Sequence, residues 1–305
     1  MAMRHGMTIR LAAAALALAI TACAGGNIRT PSAAATASTG QAEASAWRDD
    51  VAMISAEAGN DARRLAIRQS LMDAGLQPVD EPFTSKAGPG QNLHAPVSGT
   101  PGLPLLLLGA HFDKVDVGNG VTDNASGSAA VLSLARRFKQ KPLAQHRVAV
   151  AFWDQEEKGL LGASAHVAIQ GAKKPALYIN FDVFGWGDTL WMMAPDTAHP
   201  LVTATDAAVR AHGIKLSSGE KYPPSDHLAF QKAGWPAVSF SLVGGSEIAP
   251  ILQAFSGASP ARMPKVMEVI HSERDTLQEI DAADAETGID AVEAAIRAWD
   301  ARAAG

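Results

Sequence analysis

The run Leu103-Pro104-Leu105-Leu106-Leu107-Leu108-Gly109 leads straight into Ala110-His111-Phe112-Asp113, and this junction constrains the fold more than any other stretch. Four consecutive leucines, Leu105 to Leu108, read as a strand covered on both faces. Such a strand belongs in a mostly parallel sheet with helices on either side. Alternate strand residues point the same way, so His111 and Asp113 can face one cavity. An imidazole and a carboxylate at the end of a buried strand are accounted for if they converge on a cation. A surface loop is the bland alternative, and for His-x-Asp alone it is the better one.

The rest of the chain repeats that architecture. Arg147–Trp153 is a second buried strand, Leu177–Phe184 a third and Leu190–Ala194 a fourth. Gln91–Pro96 precedes them and Trp235–Leu242 follows. Helices are predicted around Trp47–Ala58 and Asn60–Ala74. In the second, Leu65, Ile67, Leu71 and Met72 give a partial apolar stripe, and Gly75 stands where a C-cap belongs. Asp123 or Asn124 can cap a helix in which Val131, Leu134, Ala135 and Phe138 share a face. Further helices are expected at Gly159–Ile169, Leu201–His212 (stopped by Gly213), Asp226–Lys232 and Ala282–Ala301. Strands alternating with helices predict an α/β fold, a three-layer α/β/α sandwich around a mostly parallel mixed sheet. No internal repeat or long linker divides residues 47–305, which are expected to form one domain.

The amino terminus has a different character. Arg4, His5 and Arg10 precede the apolar run Leu11–Ile20, and Ile20-Thr21-Ala22-Cys23 follows. A basic start, a short apolar core and small residues form an export signal, too short to be a secure bilayer span. The small residues ending in cysteine resemble a bacterial lipobox. That likeness implies a signal peptide over 1–23, a lipid on Cys23 and anchoring in the cell envelope. With Ala24 next, it implies the outer membrane facing the periplasm. Residues 24–46, rich in Ala, Thr, Ser and Gly, read as a flexible tether. Cys23 is the only cysteine of 305 residues, which excludes an intrachain disulfide, a cysteine zinc cluster and a thiol nucleophile. A net charge of −5 without a basic stripe argues against nucleic acid. No Gly-x-Ser-x-Gly elbow points to a serine hydrolase.

The remaining polar candidates follow strands or apolar pairs. Asp123, in Thr-Asp-Asn-Ala-Ser-Gly, is by itself an ordinary N-cap. Glu156 and Glu157 place like charges side by side after a buried strand, which calls for solvent or a cation. One could ligate metal while the other carries protons. Asp182, inside Tyr-Ile-Asn-Phe-Asp-Val-Phe-Gly, is a carboxylate in an apolar strand and is costly unless paired or coordinated. His271 heads a polar loop after Val269-Ile270. Ser225-Asp226-His227 reads as a capped helix start, three residues beyond Tyr222.

In order these segments read Gly-x-His-x-Asp, Asp-Asn-Ala-Ser-Gly, Glu-Glu-x-Gly, Asn-x-Asp, Ser-Asp-His and His-x-x-x-Asp-Thr. The series resembles the zinc-dependent aminopeptidases of peptidase family 28 in clan MH, a family with glutaminyl-cyclase-like members. The likeness covers nearly all of residues 109–280. It implies a zinc-exopeptidase-like fold holding two Zn2+ per chain. His111 and Asp182 would hold one ion, Glu157 and His271 the other, and Asp123 would bridge both. By the same likeness Asp113 would orient His111, Glu156 would be the general base, Tyr222 would help stabilise the oxyanion and Asp226 would support the site. Thr122 stands where the family often has Asp, and Ser272 where it often has Thr; neither change removes a ligand. Residues 184–191 and 244–264 match no motif, and a role for them in shaping the pocket leaves specificity open.

Two histidines and three carboxylates suit zinc with positions open for water and substrate. The resulting expectation is a metal-dependent exopeptidase acting on peptides with a free N-terminus. A glutaminyl-peptide cyclotransferase, which uses one zinc, and a non-catalytic binding lipoprotein on the same fold are the alternatives.

Overall fold

A computed structural model of the chain describes residues 44, 46–56, 58–169 and 173–303. The expected export signal, its Cys23 and most of the expected tether fall outside the described residues. Helix α1 covers 46–55, followed by α2 (Asn60–Asp73), the hairpin β1 (Val79–Ser85) and β2 (Gly88–Ser98), and β3 (Leu105–His111). One irregular turn, Val121–Ala125, leads into α3 (Ser126–Gln140). Then come β4 (Arg147–Trp153), α4 (Leu161–Ala168), β5 (Leu177–Phe184), β6 (Thr189–Met193), α5 (Pro200–Ala211) and β7 (Lys215–Gly219). The order closes with α6 (His227–Lys232), β8 (Ala237–Val243), α7 (Ile248–Phe255), α8 (Lys265–Val269) and α9 (Ala282–Arg302).

The eight strands form one sheet in the order β1-β2-β4-β3-β5-β8-β6-β7. β4, β3, β5 and β8 run parallel at its centre. The flanks join antiparallel, β2 onto β4 and β6 onto β8. Strand alternation sorts the core into two faces. Leu106, Leu108 and Ala110 of β3, with Val148, Val150 and Phe152 of β4, pack with α1, α2, α3, α5 and α9. Leu107, Ala151, Trp153 and Tyr178 point the other way, against Ala163 of α4 and Phe230 of α6. The molecule is thus a three-layer α/β/α sandwich around a mixed sheet, as the alternating pattern predicts.

The stripe expected on α2 is corrected in part. Ile67 and Leu71 are buried, but Leu65 and Met72 are about half exposed. Their place on the inner face goes to Arg63, which is fully buried. Its guanidinium donates to the carbonyls of Ile54, Phe112, Asn119 and Gly120. Four acceptors replace its hydration, so an arginine is accommodated in the core; burial nevertheless lowers its pKa to about 10. Gly75 closes α2 in the left-handed region (φ 68°), as expected of a C-cap.

Candidate metal centre

β4, β3 and β5 are adjacent and parallel, so their carboxyl ends open on one edge of the sheet. β3 ends on His111, β4 leads into the turn bearing Glu156 and Glu157, and Asp182 lies near the end of β5. Asp123 comes from the turn before α3, and His271 from the loop after α8. All five expected ligands meet here in two groups that share Asp123. One is His111, Asp123 and Asp182; the other is Asp123, Glu157 and His271.

The two oxygens of Asp123 divide between the groups. Oδ1 is 3.1 Å from His111 Nε2, and Oδ2 is 3.1 Å from His271 Nε2. His111 Nε2 is also 3.5 Å from Asp182 Oδ1, and His271 Nε2 is 3.1 Å from Glu157 Oε2. Donor atoms about 2.0–2.1 Å from a tetrahedral zinc are roughly 3.3–3.4 Å from one another, so these separations fit such an ion. Asp182 Oδ1 is buried and accepts no hydrogen bond, the condition of a carboxylate oxygen kept for a cation.

The surrounding backbone is built to hold this geometry. Asp113 accepts the N–H of Glu156 on Oδ1 (2.9 Å) and that of Glu157 on Oδ2 (3.1 Å). It also contacts His111 Nδ1, at 3.4 Å through its carboxylate and 3.2 Å through its carbonyl. It therefore braces the double-glutamate turn as well as the imidazole, a wider part than the sequence shows. Asn124, rather than Asp123, caps α3: its Oδ1 accepts the N–H of Gly127 at 3.0 Å. Its Nδ2 donates to the carbonyl of Phe181, tying the Asp123 turn to β5. A Cβ on Gly127 would stand 2.3 Å from Asn124 Oδ1 and 2.6 Å from the Phe181 carbonyl, so the helix start has room only for glycine.

Asp275, which the sequence shows only as part of a motif, supports Asp123 directly. Its carboxylate accepts the N–H of Thr122 at 2.6 Å and that of Asp123 at 3.3 Å. Burial raises its pKa to about 6 against those hydrogen bonds. His271 (φ 56°), Val183 beside Asp182 (φ 57°) and Gln155 beside Glu156 (φ 58°) all adopt left-handed backbone. For residues other than glycine this costs about 1–3 kcal/mol each and persists where the surroundings over-determine it. Such strain clusters at functional sites, and it is invisible in a sequence.

The electrostatics show how much negative charge is concentrated here. Burial, reinforced by Asp226, Asp182 and Asp123, pushes Glu156 up to about 10 despite the opposing His111. Burial also raises Glu157, opposed by its hydrogen bond to His271. Hydrogen bonds to Asp123 and Glu157 lift His271 to about 10. Burial works against a charged His111, but Glu156, Asp113, Asp123 and Asp182 together raise it well above the usual imidazole range. Asp226 is wholly buried without a hydrogen bond on either carboxylate oxygen, and burial drives its pKa far up. Cations placed among these carboxylates would relieve their mutual repulsion.

Beside the acidic cluster lies a cavity of about 180 Å3. Val183, Trp191, Tyr222 and Val243 form part of its wall, and Ile251 and Phe255 of α7 add to it. Residues 244–264 therefore do reach the pocket. The Tyr222 hydroxyl is engaged with Ser241 Oγ, whose own hydroxyl reaches the Asp182 carbonyl. Burial raises Tyr222 beyond the usual phenol range, so it stays protonated at the cavity wall.

The family model described as peptidase family M28 matches residues 92–296. Leupeptin-inactivating enzyme 1 of Streptomyces exfoliatus is 30% identical over 238 residues, covering 75% of this chain and 53% of the relative. The chain spans about half or less of the length of the curated relatives it matches. Among solved structures, Porphyromonas gingivalis glutaminyl cyclase aligns with a TM-score of 0.64 at 21% identity, over 85% of this chain and 98% of that one. The LapA aminopeptidase of Legionella pneumophila aligns with a TM-score of 0.63 at 16% identity, over 92% and 76%. At these identities the structural likeness is one of fold.

Proposed function

The chain belongs to peptidase family M28, and from that premise we propose that it is a metal-dependent exopeptidase removing N-terminal residues from peptides, with two zinc ions per chain. The observation that carries the reading is Asp123, whose two oxygens each lie 3.1 Å from a different imidazole. His111 and Asp182 complete one pocket; Glu157 and His271 complete the other. Zinc bound there would lower the pKa of water towards about 7 and polarise a scissile carbonyl.

Glu156 lines the cavity without being needed in either ligand group. Once cations offset the surrounding carboxylates, its carboxylate would take the proton of the attacking water and deliver it to the leaving amine. Asp113 holds Glu156 and Glu157 at fixed positions through their N–H groups. Tyr222 presents a protonated phenol at the cavity wall, where turning from Ser241 would let it donate to a developing oxyanion. The largely apolar wall suits an apolar N-terminal side chain: a void of about 150 Å3 accepts a benzene ring, and this one is about 180 Å3.

The presence of both ligand groups favours hydrolysis over the one-zinc cyclisation of N-terminal glutamine. The deciding experiment incubates the protein with peptides beginning in Leu, Phe or Gln and follows the products by mass spectrometry. Hydrolysis gives free amino acid and a shortened peptide, abolished by chelation and restored by zinc. Loss of ammonia from the Gln peptide without shortening would establish the cyclase instead. The Ile20–Cys23 pattern supports a further proposal, attachment to the bacterial envelope through a lipid on Cys23. A Cys23→Ala chain that stays in the membrane fraction would refute it.

A further inference from the structure

We propose that Glu81, His94 and His166 form a separate binding site for a zinc-class divalent cation at the edge of the sheet. It shares no residue with the cluster around Asp123 and does not rest on the function proposed above. Glu81 comes from β1, His94 from β2 and His166 from α4, so three elements meet in it.

Geometry carries the assignment. One ligating atom from each residue lies within 4.8 Å of the other two. Glu81 Oε1 is 3.3 Å from His94 Nε2 and 3.2 Å from His166 Nδ1. These are close to the roughly 3.3–3.4 Å edges of a tetrahedral zinc site with bonds of about 2.0–2.1 Å. Two imidazoles and a carboxylate select zinc or its neighbours over calcium or magnesium, which prefer oxygen ligands.

A hydrogen-bonded cluster alone leaves one atom unexplained. His94 Nε2 is shielded from water and lies 3.3 Å from Glu81 Oε1, yet not in hydrogen-bonding geometry. A buried nitrogen in that condition is costly, and a cation beside Glu81 and His166 would give it a role. The outer contacts also resemble those of a built site. Asn92, fully buried, donates through Nδ2 to Glu81 Oε1 and to the carbonyl of Gly162, both at 3.0 Å. The Trp153 indole packs against both imidazoles, with ring centroids 5.2 Å from His94 and 5.1 Å from His166. Carboxylate and rings are thus held in place before any ion arrives.

The three side chains remain 16–21% exposed, enough for an ion to enter and for water to supply a fourth ligand. An ion here would fasten the β1–β2 hairpin to α4, a structural rather than catalytic task.

The test counts metal. Wild type, His166→Gln and Glu81→Gln are loaded with zinc, desalted and analysed by plasma mass spectrometry, each also in an Asp123→Asn background. Loss of one zinc equivalent in both edge variants, in both backgrounds, is the expected result. If the centre around Asp123 holds no metal, the wild type still carries one equivalent and the edge variants none, which separates the two readings. Should the edge variants fail to fold, cobalt titration of the Asp123→Asn protein replaces them. Tetrahedral absorption bands rising to one equivalent support the site, and their absence overturns it. Equal zinc in folded wild-type and edge-variant proteins also overturns it, leaving the triad as hydrogen bonding alone.

Discussion

Asp113 holds Glu156 by its main chain: the aspartate Oδ1 accepts the glutamate N–H at 2.9 Å, while Oδ2 takes the next N–H, that of Glu157, at 3.1 Å. One carboxylate therefore fixes the two side chains assigned to proton transfer and to metal. Asp113→Asn sets an amide N–H2 against one of those N–H groups. Peptide hydrolysis should fall by about 10–100-fold, the scale for partners one step removed from a metal, with weaker zinc retention in a chelator competition. Unchanged activity would show that the turn holds its shape without the clamp.

Glu156→Gln keeps the size of the side chain and removes its basicity. Because both ligand groups are complete without Glu156, zinc content should match wild type. Turnover should drop by about 10²–10⁴-fold, the range for a lost general base. Parallel metal analysis and kinetics check both halves; full turnover would remove Glu156 from its assigned role.

The third expectation concerns pH. In the chelated protein, hydrogen bonds to Asp123 and Glu157 raise His271 from 6.5 to about 10. A raised imidazole pKa gives stability that is complete below pH 6.5 and is lost as pH rises through 10. Zinc needs the neutral imidazole, so its binding strengthens over the same interval. The Tm difference between zinc-loaded and chelated protein should accordingly widen from about pH 6.5 to about pH 9. A difference that narrows over that range, by circular dichroism, would count against His271 as a ligand.

Gly127→Ala tests the packing behind the site. The new Cβ would press on Asn124 Oδ1 and the Phe181 carbonyl, which tie the Asp123 turn to β5. Overpacking of this kind costs about 1–3 kcal/mol, measurable by urea denaturation. Zinc affinity should weaken with it, since the Asp123 and Asp182 segments meet at that contact.

What the sequence shows and what it hides divide along physical lines. β4 and β5 lie where the largely apolar stretches of their sequences place them, because strands buried on both faces advertise themselves. β1 and β7 escape notice: Asp80, Glu81 and Pro82 in one, and Lys215, Ser217 and Ser218 in the other, show no apolar alternation. Edge strands take their conformation from a neighbour and carry polar residues that discourage further pairing. The five grouped side chains are recognisable by order and spacing. Arg63 is not, because an arginine on an amphipathic helix reads as solvated until carbonyls from residues as far on as Gly120 surround it. The two roles of Asp113 and the support from Asp275 likewise depend on contacts that only the folded chain creates.

The grouping around Asp123 also sets a schedule for biosynthesis. Its donors are spread from residue 111 to residue 271. A chain emerging amino-terminus first cannot assemble the cage until His271 has been synthesised. Cation capture at that cage would wait on the last of its donors, and a polypeptide truncated before His271 would leave Asp123 facing only one imidazole.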